Sequence, residues 1–165
     1  MTIRKRPQGS NIRCDNNLIC NPAPAGFFCS CMAKKITVTA GLVFRDGRLL
    51  ITQRPPGGHL PGLWEFPGGK CEPGETLPEC LQRELQEELG IAVNVREEVE
   101  AVTHAYPEKT VELHFFRCQL VLGEPAGLEG QALAWVTAAN LDDYEFPAAD
   151  AQLLERLRTE ADWWK

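Results

Sequence analysis

The sequence predicts an α+β domain in which helices pack on a mixed sheet. Three observations carry that reading. Strand-like segments dominate residues 36–136, a single leucine-striped helix interrupts them over 76–89, and a second amphipathic helix follows over 148–159. With 165 residues the chain is long enough for one domain preceded by a tail.

Ile36 to Arg45 is β-branched and apolar, and Arg48 to Gln53 repeats the pattern. Asp46-Gly47 between them is a hairpin signal. Three prolines and three glycines in residues 54–62 predict a loop. Leu63 to Phe66 reads as a short strand, and Pro67 to Glu75 as a second loop. Over Thr76 to Leu89, Leu77, Leu81, Leu85 and Leu89 recur every four residues and form an apolar stripe. Pro78 suits the first turn of that helix and Gly90 its end. Ile91 to Val95 and Val99 to His104 read as strands. Thr110 to Leu122 is a long strand, paired with its predecessor across residues 106–109, and Ala132 to Val136 is the last strand. The closing helix, Ala148 to Thr159, turns Leu153, Leu154 and Leu157 inward.

Composition narrows the function. The chain is 44% hydrophobic and 24% charged, too apolar for wholesale disorder. No run of 18 apolar residues exists, so no membrane partner is expected. The net charge of −6 is uneven: residues 1–35 hold six basic groups and one acid, which leaves −11 on residues 36–165. An acidic body excludes a non-specific binder of nucleic-acid polymers. It admits a site that reaches anionic substrates through metal ions. Residues 1–35 lack any helical or strand period and are expected to be a disordered extension, with the folded domain at 36–165. Cys14, Cys20, Cys29 and Cys31 lie in that extension at spacings unlike zinc-binding pairs. Seven cysteines without a secretory signal point to a reducing, cytoplasmic compartment. Cys71 and Cys80 read as small apolar fillers, and the scattered His59, His104 and His114 as structural.

The chemistry concentrates on the first helix. At 100° per residue, with Glu84 at zero, Glu87 falls at about −60° and Glu88 at about +40°. The three carboxylates share one face beside the leucine stripe. Like charges at this spacing repel. A hard divalent cation with oxygen ligands, such as Mg²⁺, offsets that repulsion and keeps open positions for phosphates. In the preceding loop, Gly68-Gly69 permits close backbone approach, so that a carbonyl can reach the metal. Lys70 can face phosphate or pair with an acid. Arg83 can hold a carboxylate by a bidentate contact.

Gly69, Glu75, Arg83, Glu84, Leu85, Glu87, Glu88, Gly90 and Ile91 fill every fixed position of the pattern G-x5-E-x7-R-E-U-x-E-E-x-G-U, where U is aliphatic. The stretch therefore resembles the Nudix box, and the resemblance extends over about residues 36–160. It implies the Nudix α/β/α sandwich. Leu63 to Lys70 is similar to the segment that leads into the box in MutT-like members, Glu129 to their distant acid, and Phe146 to Asp150 to their base-recognition turn.

By that resemblance the Gly68 carbonyl, Glu84, Glu87 and Glu88 bind Mg²⁺, or Mn²⁺ in its place. Glu129 joins them or acts as base, Arg83 supports the catalytic set, and Glu75 is a supporting acid. The implied reaction hydrolyses a nucleoside triphosphate to the monophosphate and pyrophosphate. 8-oxo-dGTP is the leading substrate, for nucleotide-pool sanitation in DNA replication and repair, with the protein acting as a monomer. Arg54, Lys70 and Lys109 are the candidate phosphate contacts, Phe66 and Tyr106 the candidate stacking rings. Asp150 stands where 8-oxoguanine-specific members commonly carry Asn. An amide accepts from N7–H and donates to O6, whereas an ionised Asp only accepts. Two alternatives follow: hydrolysis of CTP or 5-modified dCTP, and a non-catalytic Nudix-like base-binding module.

Overall fold

In the computed structural model, residues 34–57, 60–105 and 109–165 are described, and they belong to one compact unit. Residues 1–33 of the expected extension, with its cysteines, lie outside the described residues, as do His59 and Tyr106, whereas Lys34 and Lys35, expected in the extension, already pair with Lys109 and Thr110 as strand.

Seven strands form one mixed sheet: β1 (Lys34–Arg45), β2 (Arg48–Gln53), β3 (Trp64–Glu65), β4 (Gly68–Lys70), β5 (Ala92–Ala105), β6 (Lys109–Leu122) and β7 (Leu133–Val136). Two α-helices, α1 (Leu77–Leu89) and α2 (Ala151–Thr159), cover its faces. The first hairpin turns at Asp46-Gly47, with φ of 51° and 70° and Arg45 opposite Arg48. β1 is the organising strand. It runs parallel to β6 from Lys34 to Phe44, while β4 and β2 pair antiparallel with its two halves on the other side. β3 and β7 both pair with β2.

Three expectations are corrected. Pro67 to Glu75 is not all loop, because β4 pairs Gly68, Gly69 and Lys70 with Ala40, Thr39 and Val38. The two strands expected between Ile91 and His104 are one strand, β5, whose register on β6 shifts at Val95/Glu98 and Glu98/Glu100. Such bulges break the alternation in sequence without ending the strand. The last helix starts at Ala151, after a 3₁₀ turn over Ala148–Asp150.

Alternate β1 residues face opposite layers. Ala40 and Leu42 pack with Leu49, Ile51, Phe115 and the α2 residues Leu153, Leu154 and Leu157. Val43 packs with Leu50, Phe116, Cys118 and the α1 residues Leu81, Leu85 and Leu89. The three α1 leucines are fully buried, worth roughly 1.5–3 kcal/mol each by apolar transfer. α1 is capped as well as packed. The Glu79 N–H donates to Thr76 Oγ1 and the Thr76 N–H donates to Glu79 Oε2, a reciprocal capping box, and Gly90 closes the other end at φ 68°.

Candidate active site

The leucine stripe that seats α1 on the sheet forces its acidic face toward β4 and the loop after it. Glu84 meets the backbone there. A Cβ built on Gly69 would lie 2.3 Å from the Glu84 carboxyl carbon, so glycine here lets the carboxylate lie against the strand, and any larger residue would push the end of the Glu84 side chain aside. Gly68 has φ of 150°, and a Cβ there would sit 2.2 Å from the Thr39 carbonyl. Backbone packing thus requires glycine at Gly68, while Gly69 sets where the Glu84 carboxylate rests.

Arg83 ties the site together. Its Nε donates to Glu75 Oε1 at 2.6 Å, and its Nη2 donates to Glu75 Oε2 at 3.0 Å and to the Lys70 carbonyl at 3.1 Å. Its Nη1 faces Glu84 Oε1 at 3.0 Å and Glu87 Oε2 at 3.1 Å. The Arg83 bonds, helped by the Glu72 N–H, hold the Glu75 carboxyl down at about 2. Glu75 is therefore an anchor for Arg83.

Glu88 differs from its neighbours. Burial pushes its carboxyl up to about 8, and the charges of Glu84, Glu129, Glu65 and Glu87 push the same way. Among the described residues, no side chain donates to it and no cation pairs with it. A half-buried acid under the charges of four others, with oxygen the only donor atom, has a donor set that fits a hard divalent cation. The cluster is nonetheless not a formed coordination sphere. Among the described residues, no group of three or more His, Cys, Asp or Glu side chains is arranged to hold an ion directly. Arg83 Nη1 engages the Glu84 and Glu87 oxygens instead.

Glu129 lies in an exposed turn after β6. Hydrogen bonds to the end of α1 bring this turn to Glu88: the Leu128 N–H donates to the Glu88 carbonyl at 2.9 Å and the Ala126 N–H to the Leu89 carbonyl at 3.1 Å.

A second group lies on the α2 side. Asp150 is 5% exposed, and burial lifts its carboxyl from 3.8 to about 7, with Glu65 adding to the rise and Arg54 opposing it. Arg54 Nε lies 2.7 Å from Glu65 Oε2. Burial raises Glu65 too, against the pull of Arg54. Glu65, on β3, acts electrostatically on both Asp150 and Glu88 and so links the two groups. Sequence reasoning alone assigns Glu65 no role. The available signal was a carboxylate set among apolar residues in a strand, Leu63-Trp64-Glu65-Phe66.

Phe66 departs from the expected stacking role. It is a core side chain, 4% exposed, edge-on to Phe115 at 5.8 Å and stacked on Phe146 at 5.3 Å. Lys70 is exposed, with its carbonyl bound by Arg83. Lys109 opens β6, half-buried, paired with Lys34 at the start of β1. Cys80 is buried, its Sγ 3.2 Å from Thr39 Oγ1, and Cys118 is a buried thiol pushed up to about 12, so both are fillers of the α1 layer.

A mixed sheet between two helices, with glutamates of one helix set against a glycine pair and a buried titratable group near the other helix, defines an α/β/α sandwich with an acidic site. Residues 39–156 match the NUDIX domain family. The chain is 41% identical over 128 residues to a Haemophilus influenzae protein named 8-oxo-dGTP diphosphatase, covering 77% of this chain and 94% of that one. It is 39% identical to an Escherichia coli CTP pyrophosphohydrolase, covering 74% and 90%. The crystal structure of a MutT protein from Methanosarcina mazei Go1 superposes with a TM-score of 0.69 at 26% identity, covering 78% of this chain and 96% of that one. The chain belongs to the NUDIX domain family, whose hydrolases use divalent metal ions.

Proposed function

We propose that this protein is a Mg²⁺-dependent pyrophosphohydrolase that converts 8-oxo-dGTP to 8-oxo-dGMP and pyrophosphate, and so cleanses the nucleotide pool ahead of DNA replication. The observation that carries the base assignment is Asp150, buried and raised to about 7. In its protonated form the carboxyl donates one hydrogen bond and accepts another, as an amide does, which matches O6 and N7–H of 8-oxoguanine. The name of the Haemophilus relative supports the same substrate.

Glu84, Glu87 and Glu88, with the Gly68 carbonyl and Glu129, would hold the metal, which supplies neutralisation of the triphosphate and polarisation of its phosphoryl oxygens. Arg83 orients Glu84 and Glu87 through Nη1 while Glu75 fixes its other nitrogens. Water adds to a phosphorus of the anhydride, the P–O bond to the leaving pyrophosphate breaks, and a carboxylate of the glutamate set takes the water proton. Arg54 and Glu65 flank the base side next to Asp150, and Lys70 and Lys109 are the remaining phosphate contacts. The complete glutamate set speaks for an enzyme over a base-binding module. Free thiols at Cys71, Cys80 and Cys118 support a reducing, cytoplasmic setting.

A second reading, hydrolysis of CTP or 5-modified dCTP, is favoured by Arg54, which pulls Asp150 toward the ionised form. An ionised carboxylate accepts from the cytosine amino group. A panel of nucleoside triphosphates with Mg²⁺, scored for monophosphate and pyrophosphate, tests both. Highest kcat/KM for 8-oxo-dGTP supports the first reading, and highest kcat/KM for CTP replaces it with the second. No pyrophosphate from any substrate overturns the reaction itself.

A further inference from the structure

The last turn of any helix leaves carbonyls without intrahelical donors. In α1 the turn that carries Glu129 supplies them, through Leu128 and Ala126. A side chain adds to this tie. Gln131 Nε2 donates to the Glu88 carbonyl at 3.2 Å, and Gln131 Oε1 accepts from the Glu129 N–H at 2.9 Å. One carboxamide therefore joins the backbones of two residues whose carboxylates repel each other. Only a primary amide of this length does both, since a carboxylate has no donor and an apolar side chain neither group. The backbone is shaped to admit it: a Cβ on Gly127 would lie 2.1 Å from the Gln131 carbonyl oxygen and 3.2 Å from Oε1.

Glu129 stands on an exposed turn, where repulsion between its charge and that of Glu88 acts to swing it outward. We propose that Gln131 is a positioning residue that holds the Glu129 carboxylate beside Glu88 against this repulsion, and thereby sustains the affinity of the site for a divalent cation. The inference rests on the reading of Glu129 as part of that cation site.

The test uses the full-length protein and Mn²⁺ binding followed by electron paramagnetic resonance, without substrate. Partners that orient metal ligands typically carry 10–100-fold in affinity. Gln131→Met should weaken Mn²⁺ binding roughly tenfold. It should also speed hydrogen exchange at the Leu128 and Glu129 amides in metal-free protein, with the melting temperature little changed. Gln131→Glu, which keeps length and acceptor but lacks the donor, should speed the same exchange. In the double variant Gln131→Met/Glu129→Gln, affinity should match that of Glu129→Gln alone, because Gln131 acts through Glu129. Additive losses in the double variant overturn the positioning role. So does a Gln131→Met protein with wild-type affinity beside a weakened Glu129→Gln. If Glu129→Gln itself binds Mn²⁺ normally, the cation-site reading of Glu129 falls first and the role of Gln131 falls with it.

Discussion

Replacing Asp150 by asparagine separates the energetics of the buried carboxyl from its role in base choice. The carboxyl is raised from 3.8 to about 7, first by burial. That is about 3 pH units, or roughly 4 kcal/mol at 1.36 kcal/mol per unit. Between those two values the folded protein keeps a proton that the unfolded chain has released. The stabilising contribution of Asp150 is therefore complete below pH 3.8 and lost as the pH rises through about 7. Asparagine has the same shape and does not titrate. The unfolding free energy of Asp150→Asn, less that of wild type, should thus grow by about 3 kcal/mol between pH 5 and pH 8. Glu88 and the other acids that do not act on Asp150 titrate alike in both proteins and cancel in the difference, leaving Glu65, whose charge adds to the rise of Asp150, as the one coupled acid. Urea titrations at the two pH values measure it. In parallel, the wild-type ratio of kcat/KM for 8-oxo-dGTP over CTP should fall above pH 7, by up to about tenfold per unit, while the ratio for the variant stays near its acid-side value. A stability difference independent of pH would refute the burial argument. Loss of rate by one common factor on all substrates would show that Asp150 supports the site without reading the base.

Four further outcomes are expected. Glu87 is 60% exposed on its helix, so Glu87→Gln should fold normally yet lose turnover by orders of magnitude, and near-normal turnover in saturating Mg²⁺ counts against the cation site. Gly69→Ala places a methyl 2.3 Å from the Glu84 carboxyl carbon and should displace that carboxylate; it should cost less than about 1 kcal/mol in urea unfolding and roughly 100-fold in kcat, and an unchanged kcat would mean that the position of Glu84 is unimportant. Thr76→Ala breaks the capping box and should cost about 1 kcal/mol of stability with kcat/KM unaltered, which thermal melts and steady-state rates together can check. A chain that starts at Met32 should match the full-length protein in melting temperature and kcat/KM, and a loss of more than about 1 kcal/mol would give residues 1–31 a structural part.

Local chemistry determined much of this protein by itself. Asp46-Gly47 specifies a hairpin because few other dipeptides adopt two consecutive positive φ values. The four-residue leucine repeat specifies α1 and the face it buries, and hence the face on which Glu84, Glu87 and Glu88 stand. The full box pattern carries the family, since each of its positions answers a local demand for a glycine, an aliphatic residue or a charge. Tertiary structure decided what depends on neighbours distant in sequence. β4 is a strand only because β1 offers Val38, Thr39 and Ala40 as partners, which nothing within Pro67 to Glu75 announces. β5 continues through bulges because β6 holds its register. Phe66 is core because Phe115 and Phe146 close around it. Glu65 acts on both Asp150 and Glu88, though 23 residues or more separate it in sequence from each. The raised carboxyls of Glu88 and Asp150 were beyond the sequence for the same reason. Desolvation and repulsion are sums over surroundings that exist only once the sheet has brought β3, α1 and the turns at Glu129 and Asp150 together.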